Sequence, residues 1–238
     1  MTLNEYAYSL LNTVTPKLAD DEQVDIRQVK TWIIDTRLTF LKNQLNQSRF
    51  IDPSITQTIT KSNFTLQYDS QHNGVSLFKT VGTIPKILQM YQGPAILRIG
   101  PASPIAPSFR FSNDLKEIAY TGHGRFNTYG IFCYLEGDRL FFKTRNSLFI
   151  VEYNNNLSLT AVFSDPTELS KYSENGKPIY SDEHTEFPMN RDMKMYIEKE
   201  IITSKFGITE QAVPDEENDG RDNVDDVAAI NAARRRRN

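Results

Sequence analysis

The chain has 238 residues, 39% of them hydrophobic and 11% aromatic, enough for a real core in one large domain or in a domain with appendages. Its 27 lysines and arginines against 30 aspartates and glutamates leave a formal charge of −3, which excludes a chain that grips polyanions over its whole surface. One cysteine, Cys133, excludes an intrachain disulfide, and neither a leader pattern nor a run near the roughly 18–20 apolar residues of a bilayer span is found, so a soluble chain made in a cytoplasm is expected.

Leu3, Tyr6, Ala7, Leu10 and Leu11 fall at helical spacing, with Thr2 or Asn4 available as cap and Pro16 as terminator. The acidic turn Asp20-Asp21-Glu22 leads to Asp25, which has capping-box spacing to Gln28. Ile26, Val29, Ile33, Phe40, Leu41 and Leu45 then continue a helix of about five or six turns. Trp32, Ile34 and Leu38 lie off that stripe, so the helix meets more than one neighbour. Those neighbours are parts of its own fold or a second subunit, and the spacing leaves both open.

Ile51-Asp52-Pro53 breaks the helix, and β-favouring residues dominate from there to Phe163. Strands are expected over 55–59, 64–68, 95–99, 129–135, 139–142 and 148–153. His72-Asn73-Gly74, Gly137-Asp138 and Arg145-Asn146-Ser147 supply turns. Residues 84–87 suit a loop or an edge, and 114–119 a short helix or a strand. Residues 100–107 carry Pro101, Pro104 and Pro107 and are expected as an extended surface loop. Leu157, Leu159, Ala161 and Phe163 alternate with Ser158, Thr160 and Val162 as a half-buried strand, which Asp165-Pro166 stops before one helical turn. After Phe187-Pro188, Asn190 can cap a helix bearing Met193, Tyr196, Ile197, Ile201 and Phe206, and Gly207 closes it.

The expected fold is therefore α+β. A helical hairpin over 1–50 precedes a β-rich domain over 51–210, an antiparallel sandwich or small barrel closed by a helix over 189–206. Residues 211–238 differ in character. Asp215, Glu216, Glu217, Asp219, Asp222, Asp225 and Asp226 face Arg221 alone, and Arg234, Arg235, Arg236 and Arg237 follow. Such a segment buries too little apolar surface to offset its ordering entropy, and an extended tail laid across another molecule is expected.

No constellation of reactive residues stands out. His72, His123 and His184 share no ligand spacing, and one cysteine builds no zinc site. Gly122-His123-Gly124-Arg125-Phe126 lacks the Lys-Ser/Thr and following helix of a phosphate loop. No Gly-x-Ser-x-Gly elbow occurs, and Glu183 and Glu186 suit a solvated loop. Catalytic, cofactor-binding and metal-binding residues are accordingly nominated nowhere, and a non-enzyme is expected. The four terminal arginines suit nucleic-acid phosphates or carboxylates of an adjacent subunit. The acidic block before them repels a polyanion, so protein docking is preferred.

Residues 1–12 resemble the opening of structural proteins of crAss-like bacteriophages, tailed phages of gut Bacteroidales, and residues 25–37 resemble the helix that follows there. Residues 159–169, 187–193 and 214–220 are similar in the same order; the terminal arginines are outside the resemblance. It implies a virion protein of the head–tail region, made in the host cytoplasm: a connector or tail ring, expected twelvefold, stacked beneath the portal with adjacent ring or tail proteins as partners. Genomic DNA would pass its lumen without specific binding, and no membrane is involved. Rings close through head-to-tail interfaces that need two different surfaces per chain. The candidates are Trp32, Ile34 and Leu38 on the long helix and Pro101, Pro104 and Pro107 in the proline-rich segment, with Arg234, Arg235, Arg236 and Arg237 docking the tail. The alternative is a β-sandwich module of the tail that binds a glycan or other receptor through Phe126, Tyr129 and Tyr134.

Overall fold

The computed structural model describes residues 1–15, 24–47, 51–60, 64–72, 75–103, 108–112, 130–145, 148–174 and 176–207. Helix α1 (Leu3–Val14) starts at Thr2 rather than Asn4. The Glu5 N–H donates to Thr2 Oγ1 at 3.2 Å while the Thr2 N–H donates to Glu5 Oε2 at 2.9 Å, a reciprocal cap. Helix α2 (Ile26–Gln47) begins after Asp25, whose carboxylate accepts from the Arg27 N–H at 2.9 Å. Gln28 donates its own N–H to the Asp25 carbonyl instead of completing a box.

Twelve short strands follow in the described residues: β1 (Gln57–Thr60), β2 (Leu66–His72), β3 (Val75–Thr80), β4 (Gln89–Met90), β5 (Gly93–Pro94), β6 (Ile96–Pro101), β7 (Arg110–Phe111), β8 (Phe132–Glu136), β9 (Arg139–Thr144), β10 (Leu157–Ala161), β11 (Ser173–Glu174) and β12 (Lys177–Pro178). A five-stranded sheet runs in the order β2-β3-β9-β8-β7, and a three-stranded sheet in the order β1-β10-β6. The pairs β4-β5 and β11-β12 form two small ladders. Among the described residues the chain also forms two more α-helices, α3 (Phe149–Tyr153) and α4 (Arg191–Ser204), and short 3-10 turns at Pro53–Ile55 and Pro166–Lys171. Side chains from both larger sheets and from α1, α2 and α4 join one core, including Tyr6, Ile33, Leu41, Ile59, Phe142, Leu159 and Ile197.

The α+β class is as the sequence implies, but neither larger sheet closes into a barrel among the described residues. The expected antiparallel meander is also interrupted. Strand β10 inserts between β1 and β6, and β7 pairs with β8 in parallel. As a central strand β10 is covered on both faces: Ser158 is buried as well as Leu157, Leu159 and Ala161, so the half-buried alternation expected there does not hold. Ser158 meets the cost of burying its hydroxyl by donating toward the Pro101 carbonyl at 3.3 Å.

Two local expectations are corrected. Residues 149–153 form α3 rather than a strand, because the helix brings the i, i+4 rings of Phe149 and Tyr153 to 5.2 Å and lets Val151 point away. A strand would have put Phe149 and Val151 on one face. Gly100 and Pro101 are the buried end of β6 rather than surface loop. Proline is tolerated as the last strand residue, where no ladder N–H is required of it, and its carbonyl accepts from Arg98 Nη2 at 3.1 Å.

Candidate assembly surfaces

The side chain that organises the surface is buried beneath it. Arg37, at 0% exposure, lies on the inward face of α2 and donates to three carbonyls from three separate segments. Nε reaches Pro188 O at 2.9 Å, Nη1 reaches Phe163 O at 3.1 Å and Nη2 reaches Ile55 O at 3.4 Å. These carbonyls sit just before α4, just after β10 and just before β1, where the chain leaves regular structure and its acceptors lack ladder partners. The guanidinium also stands 5.6 Å from the centre of the Phe187 ring. Burial pushes it down from its ordinary 12.5 to about 10, with Asp165 and then Tyr180 pulling the other way, so it stays charged and fully donating at neutral pH.

The segments that Arg37 ties together wall two open grooves. The first, about 570 Å³, runs between the β1 end at Thr56, Gln57 and Thr58 and the stretch from Thr185 to Arg191. Asn190 shapes its rim: its Oδ1 accepts from the Met193 N–H at 2.9 Å, capping α4, and its Nδ2 donates to Asp52 Oδ2 at 3.3 Å. The Asp52 carboxylate is held below the ordinary carboxylate range, chiefly by the Ser54 N–H and then by the Ser54 and Asn190 side chains.

The second groove, about 630 Å³, is lined by Asp165, Glu168 and Asp182 with Lys171 as the cation of its wall. Asp165 Oδ1 accepts from the Thr167 N–H at 2.8 Å, Glu168 Oε2 from the Lys86 N–H at 3.2 Å, and Asp182 Oδ2 from Lys30 Nζ at 2.9 Å. Tyr180 also lines it, and its hydroxyl is buried with no hydrogen-bond partner among the described residues. Burial first, and the negative field of Asp182 and Asp165 next, raise that phenol above its ordinary value and keep it protonated.

Large apolar side chains stand out from the body on separate elements. Tyr91, 95% exposed, occupies the tip between β4 and β5, and its N–H donates to Asn46 Oδ1 near the end of α2 at 2.9 Å. The aromatic is thus presented on a hairpin tied to a long helix. Val151 on α3 is 80% exposed, and Tyr8 on α1 and Met195 on α4 are exposed too.

Of the positions singled out from sequence, Trp32 is half-buried and meets Phe206 edge-on at 5.5 Å, so part of its indole is already covered within the chain. Ile34 and Leu38 are half-buried against the core. Pro101 is buried opposite Leu157. Pro104, Pro107, Arg234, Arg235, Arg236 and Arg237 lie outside the described residues, as do Phe126, Tyr129 and His123. Tyr134 is half-buried and stacks on Phe141 at 5.2 Å. Sequence reasoning missed Tyr91 and Arg37. The first had only its place between turn-forming neighbours as a signal, whereas the second interrupts the apolar i, i+4 series Val29, Ile33, Leu41, Leu45 at the position where a fifth apolar residue belongs.

Cys133 is buried, and burial pushes its thiol up to about 12, so it stays protonated. Among the described residues no group of three or more histidines, cysteines and carboxylates is placed to hold a metal ion, and no helix is long and apolar enough to cross a membrane.

A search of curated proteins finds no match to the chain. A family model described as phage tail ring protein 2 matches residues 5–227, a span that takes in the body and the acidic stretch and ends before the terminal arginines.

Proposed function

The chain belongs to the phage tail ring protein 2 family of crAss-like phages, and on that premise we propose that it is a non-enzymatic structural protein whose copies close into a ring. The ring sits in the head–tail region of the virion beneath the portal, in twelvefold symmetry, with adjacent ring or tail proteins above and below. Genomic DNA passes its lumen without specific contacts. The observation that carries this reading is Tyr91, a large aromatic 95% exposed at the end of a hairpin anchored to α2. A lone subunit gains nothing by keeping such a ring in water, whereas an aromatic anchor entering a neighbour is the usual centre of a protein interface. Val151, on a different element, supplies a second and dissimilar apolar surface. A head-to-tail ring needs two such surfaces, because each copy presents one face to the copy before it and another to the copy after. The half-buried Trp32, Ile34 and Leu38 and the segment holding Pro104 and Pro107 extend these surfaces.

Measuring the mass of the purified chain, alone and mixed with portal protein, tests the reading. A ring-sized species that joins the portal supports it, and Tyr91→Asp is expected to lower the ring fraction about tenfold or more. A monomer that ignores portal protein and binds a sugar instead overturns it.

A further inference from the structure

We propose that the groove formed by Asp165, Glu168, Asp182 and Tyr180 is the docking site for the terminal arginines Arg234, Arg235, Arg236 and Arg237 of a neighbouring copy. Three carboxylates converge there against Lys171 in the wall, and the contacts described above engage one oxygen of each. Among the described residues, no hydrogen bond engages Oδ2 of Asp165, Oε1 of Glu168 or Oδ1 of Asp182. A guanidinium, with its five donors in a rigid fork, is the side chain best suited to such a set. The buried Tyr180 hydroxyl, with no hydrogen-bond partner among the described residues, is a second and independent sign that a polar group is missing from this groove. Buried hydroxyls are rarely left so, and an incoming guanidinium N–H gives this oxygen a partner. Arg37 approaches the same region from the inside but spends its three donor groups on backbone carbonyls.

The occupant is chosen by charge and by reach. The described part of the chain ends at Gly207, and Arg234 lies 27 residues further on. A stretch of 27 residues reaches at most about 90 Å. A folded body of this size has a radius of gyration of about 17 Å, so the groove of an adjacent copy is in range. Docking on the chain's own groove is disfavoured by what lies between. Phe206, at the root of the tail, touches Trp32, two residues along α2 from the Lys30 that holds Asp182. In a self-docked tail the seven carboxylates between Asp215 and Asp226 would be looped back over the acidic groove. Between two copies they span the gap. The inference rests on the ring reading for the existence of that second copy. It goes beyond the family, because the family match stops at residue 227.

The test uses the full chain with a photo-crosslinking amino acid in place of Lys171, as an equal mixture of unlabelled and ¹⁵N-labelled protein. Mass spectrometry is expected to find crosslinks to the peptide holding Arg234 and its neighbours, with heavy grooves joined to light tails. Replacing Arg234, Arg235, Arg236 and Arg237 together by alanine leaves the body untouched and is expected to cut the yield about tenfold or more, as is the pair Glu168→Gln and Asp182→Asn. Tyr180→Phe, which keeps the ring and removes the hydroxyl, is expected to cut it about threefold. The mass of the assembly is read on the same samples. Rings without groove-to-tail crosslinks, crosslinks confined to single copies, or a yield indifferent to the arginine variant overturn the docking alone. A chain that stays monomeric overturns the ring reading and the docking with it.

Discussion

Arg37→Met is the substitution that bears hardest on how this body holds its surface in place. Methionine fills most of the volume but leaves the carbonyls of Ile55, Phe163 and Pro188 without their donor. A buried acceptor left unsatisfied costs about 1–3 kcal/mol, so three cost about 3–9 kcal/mol. Loss of the contact with Phe187 adds about 1 kcal/mol. Against this, the variant escapes the cost of burying a charge. The fall from 12.5 to about 10 is worth about 3 kcal/mol. The net expectation is a loss of about 1–7 kcal/mol, or a Tm lower by on the order of 10 °C for a chain of this size. Arg37→Lys keeps the charge but offers one ammonium where three directions are needed, and is expected to fall between the two. Calorimetric unfolding of the three proteins decides the matter. A methionine variant within about 2 °C of the parent, or above it, would refute the reasoning, since it would mean that the charge costs as much as its hydrogen bonds return.

Further outcomes are expected. Asn190→Ala removes the cap of α4 and the hydrogen bond to Asp52, and should cost about 1–2 kcal/mol in denaturant titration, with the slope against denaturant unchanged. Cys133, with its thiol pushed up to about 12, should ignore a thiol reagent at pH 8 in the folded chain, where roughly one molecule in ten thousand is thiolate, and react fully once denatured; rapid labelling of the native protein would contradict its burial. Asp52 is a carboxylate whose folded pKa is depressed, so its contribution is present above the ordinary value of 3.8 and is lost as pH falls below it. Stability measured against pH should therefore separate Asp52→Asn from the parent at pH 6 and bring the two closer as pH falls below 3.8.

Local chemistry in this chain is written in the sequence, and long-range pairing is not. Asn190, Asp165-Pro166 and Gly207 act where a short-range argument puts them, because caps and stops are decided within four residues; Gly207 takes φ +64° at the end of α4. The turn at Gly137-Asp138 likewise joins the paired strands β8 and β9. Periodicity could not say that β10 travels to the space between β1 and β6, since that order depends on partners 60 and 100 residues away in the register of Leu159 with Ile99 and Ile59. The same limit hid α3, where an apolar run suits strand and helix equally until the rings of Phe149 and Tyr153 are seen to need i, i+4 spacing. Arg37 was hidden by its type: a charged residue on a helix is ordinarily solvated, and only its place inside an apolar i, i+4 series marks it as inward. The acidic groove escaped for a third reason. Asp165, Glu168 and Asp182 converge through the packing of two loops, and neither loop alone carries a sign of the other.

Electron microscopy of the purified full chain, alone and with portal protein, tests the central claim most directly. Closed rings of uniform copy number are predicted, with each subunit contacting the next head to tail through the Tyr91 hairpin. A chain that stays single at high concentration with portal protein present, or one that pairs only as a two-fold dimer through one repeated patch, would contradict it.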